Sequence, residues 1–144
     1  MEIIHACCCG IDVHAKTIVV CLIKNGGKTI RTFSTMTDDL LKLLDWLLQE
    51  ECTQVAMEST GVYWRPVYNI LEGHVEVMLV NAHHLKQVPG RKTDVRDCEW
   101  IADCLRHGLL TASFIPPVEI RELRELTRYR TSLTGEMTRI ANRI

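Results

Sequence analysis

The chain has 144 residues, 47% of them hydrophobic and 24% charged, with a formal net charge of −1. That length allows a domain with a real core, and that composition excludes a disordered tail or a uniformly basic polyanion binder. No apolar run approaches the roughly 20 residues of a membrane span, and Met1-Glu2-Ile3-Ile4-His5 lacks the regions of a secretion signal.

Charge is unevenly spread. Residues 1–90 hold 7 Lys/Arg and 10 Asp/Glu, whereas residues 91–144 hold 10 and 8. The C-terminal part is therefore the better place for phosphate contacts. Seven cysteines, three of them adjacent, show no Cys-x-x-Cys spacing. They read as reduced thiols of a cytosolic protein, with Cys98 and Cys104 acting as small apolar residues on one helix face.

Cys7-Cys8-Cys9-Gly10-Ile11-Asp12-Val13-His14 reads as a buried strand with a carboxylate near its end. A buried aspartate needs a cation, a donor or a wet cleft, unless it simply caps the turn. Residues 17–23 form a second strand, Asn25-Gly26-Gly27 a hairpin turn, and residues 28–34 a third strand. Thr37-Asp38-Asp39 is expected to cap a helix whose broad apolar face holds Leu40, Leu41, Leu43, Leu44, Leu47 and Leu48. Residues 53–57 follow as a strand parallel to the first, ending at Glu58.

Ser59-Thr60-Gly61 turns the chain into a helix over about 62–71, with Pro66 in its first turn. Residues 75–80 are a strand, 81–86 a short helical piece, and Pro89-Gly90 a break. A helix is expected over 93–107, ended by Gly108. The fold class is α/β with a mixed sheet, a meander first and βαβ units after it. Residues 1–110 form this domain, 111–117 a connector with a double proline, and 118–144 the start of a long helix.

In that helix Leu123, Leu126, Leu133, Met137, Ile140 and Ile144 recur in steps of three and four, with Arg130 on the remaining seam position. The pattern suggests a coiled-coil or helix-pair seam, hence a homo-oligomer. Arg121, Arg124, Arg128, Arg139 and Arg143 gather on the opposite side, where they could track a phosphate backbone or form a solvated face with Glu125 and Glu136. The heptad runs to the last residue without a cap, which predicts the front part of a longer protein.

Sites in open α/β sheets form at the carboxyl ends of parallel strands, where Asp12 and Glu58 fall. On a helical wheel Asp94 and Asp97 lie with Cys98, Ile101, Cys104 and Leu105, whereas Arg96, Glu99, Asp103 and Arg106 face away. Four converging acids need divalent cations, and an oxygen-only set favours Mg²⁺ or Mn²⁺ over zinc. The chemistry would be two-metal phosphodiester cleavage or transfer, the alternative being an unrelated scatter of acids.

Gly10-Ile11-Asp12-Val13-His14-Ala15-Lys16, Met57-Glu58-Ser59-Thr60-Gly61-Val62-Tyr63-Trp64 and Lys92-Thr93-Asp94-Val95-Arg96-Asp97 resemble the three motifs of the DEDD transposases of bacterial insertion sequences. The resemblance covers nearly the whole chain. It implies a RuvC-like, ribonuclease-H-like fold, with Asp12, Glu58, Asp94 and Asp97 as catalytic, Mg²⁺-binding acids. It implies DNA as substrate, a structured guide RNA as partner, and a cytoplasmic, nucleoid-associated bacterial protein. It also implies a C-terminal domain with a nucleophilic serine, which these residues do not include, so the fragment is expected to be inactive alone. Cys98 stands where the family usually has a small residue such as alanine.

Lys16 and Lys92 are candidates for DNA phosphates or are ordinary surface lysines. His14 could share a strand face with Asp12, and His83-His84 reads as loop. Tyr63 and Trp64 read as packing residues, with base stacking as the alternative. Two rival functions remain: a non-catalytic nucleic-acid scaffold, and an actin-like ATPase or sugar kinase, whose first strand also ends in Gly-Ile-Asp but whose glycine-rich phosphate loop is missing here.

Overall fold

In the computed structural model, residues 2–58, 61–91, 95–113, 115 and 118–143 are described. They fall into two compact units, divided between Ser113 and Phe114. The first unit is built on a five-stranded sheet. Strand β1 (Cys7–Val13) pairs antiparallel with β2 (Thr17–Lys24), which pairs antiparallel with β3 (Gly27–Ser34). On its other side β1 pairs in parallel with β4 (Gln54–Glu58), and β4 with β5 (Glu76–Val80). The order is β3-β2-β1-β4-β5, which places β1 at the centre.

The β2–β3 hairpin turns at Asn25 (φ 52°) and Gly26 (φ 86°), the pair of positive φ values that a two-residue turn matched to strand twist requires. Helix α1 (Thr37–Gln49) lies on one face of the sheet with α2 (Trp64–Leu71). The apolar face of α1 is narrower than expected: Leu40, Leu43, Leu44 and Leu47 are buried, whereas Leu41 and Leu48 are exposed. Its start also differs. Thr37 is the first helical residue, and Met36, which has no capping oxygen, precedes it. Instead the Asp39 carboxylate accepts the Ser34 N–H (3.1 Å), and the Ser34 hydroxyl oxygen accepts the Met36 N–H (3.3 Å).

In α2, Val67 and Leu71 are buried; Tyr63, expected to pack, is 48% exposed. Trp64 is half-buried, donating from Nε1 to the Gly61 carbonyl (3.1 Å) and meeting Tyr68 edge-on at 5.7 Å. Pro66 sits in the first turn, where its missing N–H costs nothing.

The opposite face is covered by α3 (Ala82–Gln87) and α4 (Asp97–Arg106). Asn81 caps α3 by accepting the His83 N–H (2.8 Å). Helix α4 begins four residues later than the periodicity suggested, because Arg96 has extended backbone (φ −65°, ψ 152°). Its far end closes on Gly108 (φ 69°), whose N–H and that of Leu109 reach back to Leu105 and Cys104.

Sheet and α4 meet closely at Gly10. A Cβ there would stand 2.3 Å from the Cys98 carbonyl oxygen and 2.5 Å from the Ala102 nitrogen. Only glycine lets strand and helix backbones approach so far. Cys8, Cys21, Ile23, Ala56 and Val80 of the sheet pack there against Cys98, Ile101, Cys104 and Leu105. The described part of the second unit is helix α5 (Val118–Arg143), whose apolar residues Leu123, Leu126, Leu133, Met137 and Ile140 are exposed. No helix among the described residues is long and apolar enough to cross a membrane.

Candidate active site

The β1–β4 register runs Cys9↔Val55, Gly10↔Ala56, Ile11↔Met57, so the next residues along are Asp12 and Glu58. Neighbouring strands lie ~4.8 Å apart and register partners share a face, so these acids emerge side by side at the carboxyl ends of parallel strands. Gly10 faces α4, and by alternation Asp12 faces the same way. Helix α4 opens with Asp97, one residue before the Cys98 carbonyl that crowds Gly10. The sheet register and the glycine contact thus place Asp12, Glu58 and the start of α4 at the same end of the sheet.

A cavity of about 230 Å³ opens beside Glu58 and Asp97; Asp12 does not line it. Glu58, Lys86, Arg91, Asp97 and Trp100 line it, with Leu85 and Val88 among its apolar walls. Asp97 is more exposed than its position on the helical wheel implied, at 48%. Its carboxylate is paired with Arg91, whose Nη2 also donates to the Val95 carbonyl at 2.9 Å. Asp12 is largely buried, and its Oδ2 lies 3.0 Å from Nε2 of the exposed His14. His14 is beyond the end of β1, so it folds back over Asp12 from the turn.

Asp94 and Lys92 lie outside the described residues. Arg96 is extended and Asp97 opens α4. Among the described residues, no group of three or more possible ligands is close enough to hold a metal ion. What is present suits a hard cation by donor type, since Asp12, Glu58 and Asp97 offer only carboxylate oxygens. The free cysteines do not compete for that role. Burial pushes the Cys8 thiol up to about 11 and the Cys21 thiol to about 12, and raises Cys98, beside which the Asp12 charge adds a smaller push.

Of the remaining candidates, Lys16 is exposed in the β1–β2 turn, at the same end of the sheet as Asp12. On α5, Arg124, Arg128, Arg139 and Arg143 are exposed and Arg121 is half-buried. His83 Nε2 lies 3.1 Å from Gln87 Nε2, and His84 Nε2 accepts the Thr111 N–H at 3.2 Å. Lys86, Arg91 and Trp100 carry no signal in the sequence, because their place at the cavity depends on how α3, the following turn and α4 cross the sheet.

A family model of DEDD transposases of the IS110 type, described as transposase, matches residues 9–144. The chain belongs to this transposase family. No curated protein matches it. Among solved structures it is similar to T. thermophilus RuvC in complex with a Holliday junction substrate, with a TM-score of 0.52 at 13% identity. The match covers 76% of this chain and 100% of that one. The transposase domain therefore has a RuvC-like, ribonuclease-H-like fold, and its family places it among enzymes that cleave and join nucleic acid.

Proposed function

We propose that this domain carries out Mg²⁺- or Mn²⁺-dependent cleavage and strand transfer of DNA during transposition, with Asp12, Glu58, Asp94 and Asp97 as the metal-binding acids. The observation that carries the reading is the adjacent emergence of Asp12 and Glu58 from parallel strands, facing the helix that opens with Asp97. In that arrangement Asp12 and Glu58 hold their carboxylates from rigid strand ends, while Asp97 supplies an oxygen from a helix start. A divalent cation bound there polarises a phosphoryl oxygen and offsets charge on the attacking and leaving oxygens.

Lys16 and Lys92 would hold phosphates near the cut. Arg121, Arg124, Arg128, Arg139 and Arg143 would track the nucleic-acid backbone along α5, and the apolar seam of that helix would join copies of the chain. The family resemblance further supports a structured guide RNA as partner, and a cytoplasmic place beside the nucleoid.

The test is a Mn²⁺ titration followed by thermal unfolding. A ligand that binds only the folded state must raise the melting temperature. Wild type should gain stability at millimolar metal, and Asp12→Asn and Asp97→Asn should lose most of that gain. A flat wild-type response would remove the metal site and leave a nucleic-acid scaffold.

A further inference from the structure

The geometry points to Arg91 as a latch on the candidate site: its guanidinium competes with a divalent cation for Asp97 and, once displaced, turns to a phosphate of bound nucleic acid. The inference rests on the metal reading above. Three observations carry it. Arg91 is already paired with Asp97, the acid that the metal reading needs. Both side chains line the cavity that also holds Glu58. The guanidinium has a second acceptor, the Val95 carbonyl at 2.9 Å, which would keep it at the rim when the carboxylate is withdrawn.

A cation bound to a carboxylate oxygen sits ~2.1 Å from it, which puts two like charges within a few ångströms of each other at Asp97. One must leave. The Arg91–Asp97 pair is solvent-accessible, with side chains 38% and 48% exposed, and such pairs break easily. Without metal the Arg91–Asp97 pair offsets the charge of that acid. With metal bound, the freed donors of Arg91 face the rim, where a phosphate would approach, and a guanidinium suits phosphate geometry.

The experiment compares wild type, Arg91→Ala and Arg91→Lys by the electron paramagnetic resonance signal of free Mn²⁺, without nucleic acid. Arg91→Ala should bind Mn²⁺ about two- to fivefold more tightly, the range expected when a competing exposed ion pair is removed. Arg91→Lys, which keeps the charge, should stay near wild type. With duplex DNA and Ca²⁺, Arg91→Ala should bind more weakly and its salt dependence should fall by about one phosphate. Mn²⁺ affinity unchanged or weakened in Arg91→Ala overturns the latch while leaving the metal site standing. Absence of Mn²⁺ binding in both wild type and Arg91→Ala overturns the site itself.

Discussion

In α4 the apolar residues Cys98, Ile101, Cys104 and Leu105 are all buried against the sheet, whereas in α5 Leu123, Leu126, Leu133, Met137 and Ile140 are all exposed. Both helices show helical periodicity in the sequence. Periodicity announces that a helix has an apolar face; it does not say what covers that face. In α4 the cover is the chain's own sheet, and the cost of disturbing it falls on folding. In α5 the hydroxyls of Thr127, Thr131, Thr134 and Thr138 bond back to carbonyls one turn earlier. On the function proposed above, a second copy would cover α5, and the cost of disturbing it would fall on association.

The sharpest way to break this contrast is Gly10→Val. Branched carbons forced against the Cys98 carbonyl and Ala102 nitrogen must push α4 off the sheet, costing about 3 kcal/mol or more by chemical denaturation. A loss under about 1 kcal/mol would mean that the helix yields freely, and the glycine contact would not set the site. Next in size, Ile101→Ala should cost ~2–5 kcal/mol. Leu126→Ala, at a residue 66% exposed, should change the unfolding of the isolated chain by no more than ~0.5 kcal/mol. Equal losses at the two positions would erase the distinction between the helices.

How much of this could be read beforehand depends on range. The Asn25-Gly26 turn and the shared helix face of Cys98 and Cys104 are legible because local chemistry decides them, and the parallel pairing of the first and fourth strands because a helical crossover feeds β4. The start of α4 was misplaced because the apolar pattern continues upstream through Val95, which packs against the core without being helical. Thr37-Asp38-Asp39 reads as the cap of α1, yet of these only Asp39 closes the turn, and it does so with Ser34 across the strand end. Asp12 and Glu58 could be proposed as neighbours, but Arg91 could not: its role depends on a cavity wall assembled from α3, α4 and the end of β4.

A subtler contrast comes from titration. Burial holds Cys8 and Cys104 up to about 11, and Cys21 and Cys52 to about 12. An unfolded thiol titrates near 8.5. Above that pH the unfolded chain releases protons that the folded chain keeps, so stability is full below about 8.5 and falls as pH rises toward about 12. Cys21→Ala should flatten part of that fall in denaturation midpoints taken along an alkaline series. A steeper fall in the variant would contradict the assignment.

The smallest effect is expected at Asp39. The Ser34 hydrogen bonds and the nearby Lys42 hold its carboxyl below the ordinary value. Its contribution is present above the unfolded aspartate value of about 3.9 and disappears as pH drops through the lower folded one. Asp39→Asn should therefore be slightly less stable than wild type at neutral pH, with the gap closing in acid. A gap that widens in acid would exclude this cause.

The close approach at Gly10 has one more consequence. Because backbone meets backbone there, the spacing between the first strand and the helix does not depend on any particular pair of side chains. Conservative exchanges among the neighbouring core residues should therefore leave that approach in place. A side chain at position 10 itself would close that space at once.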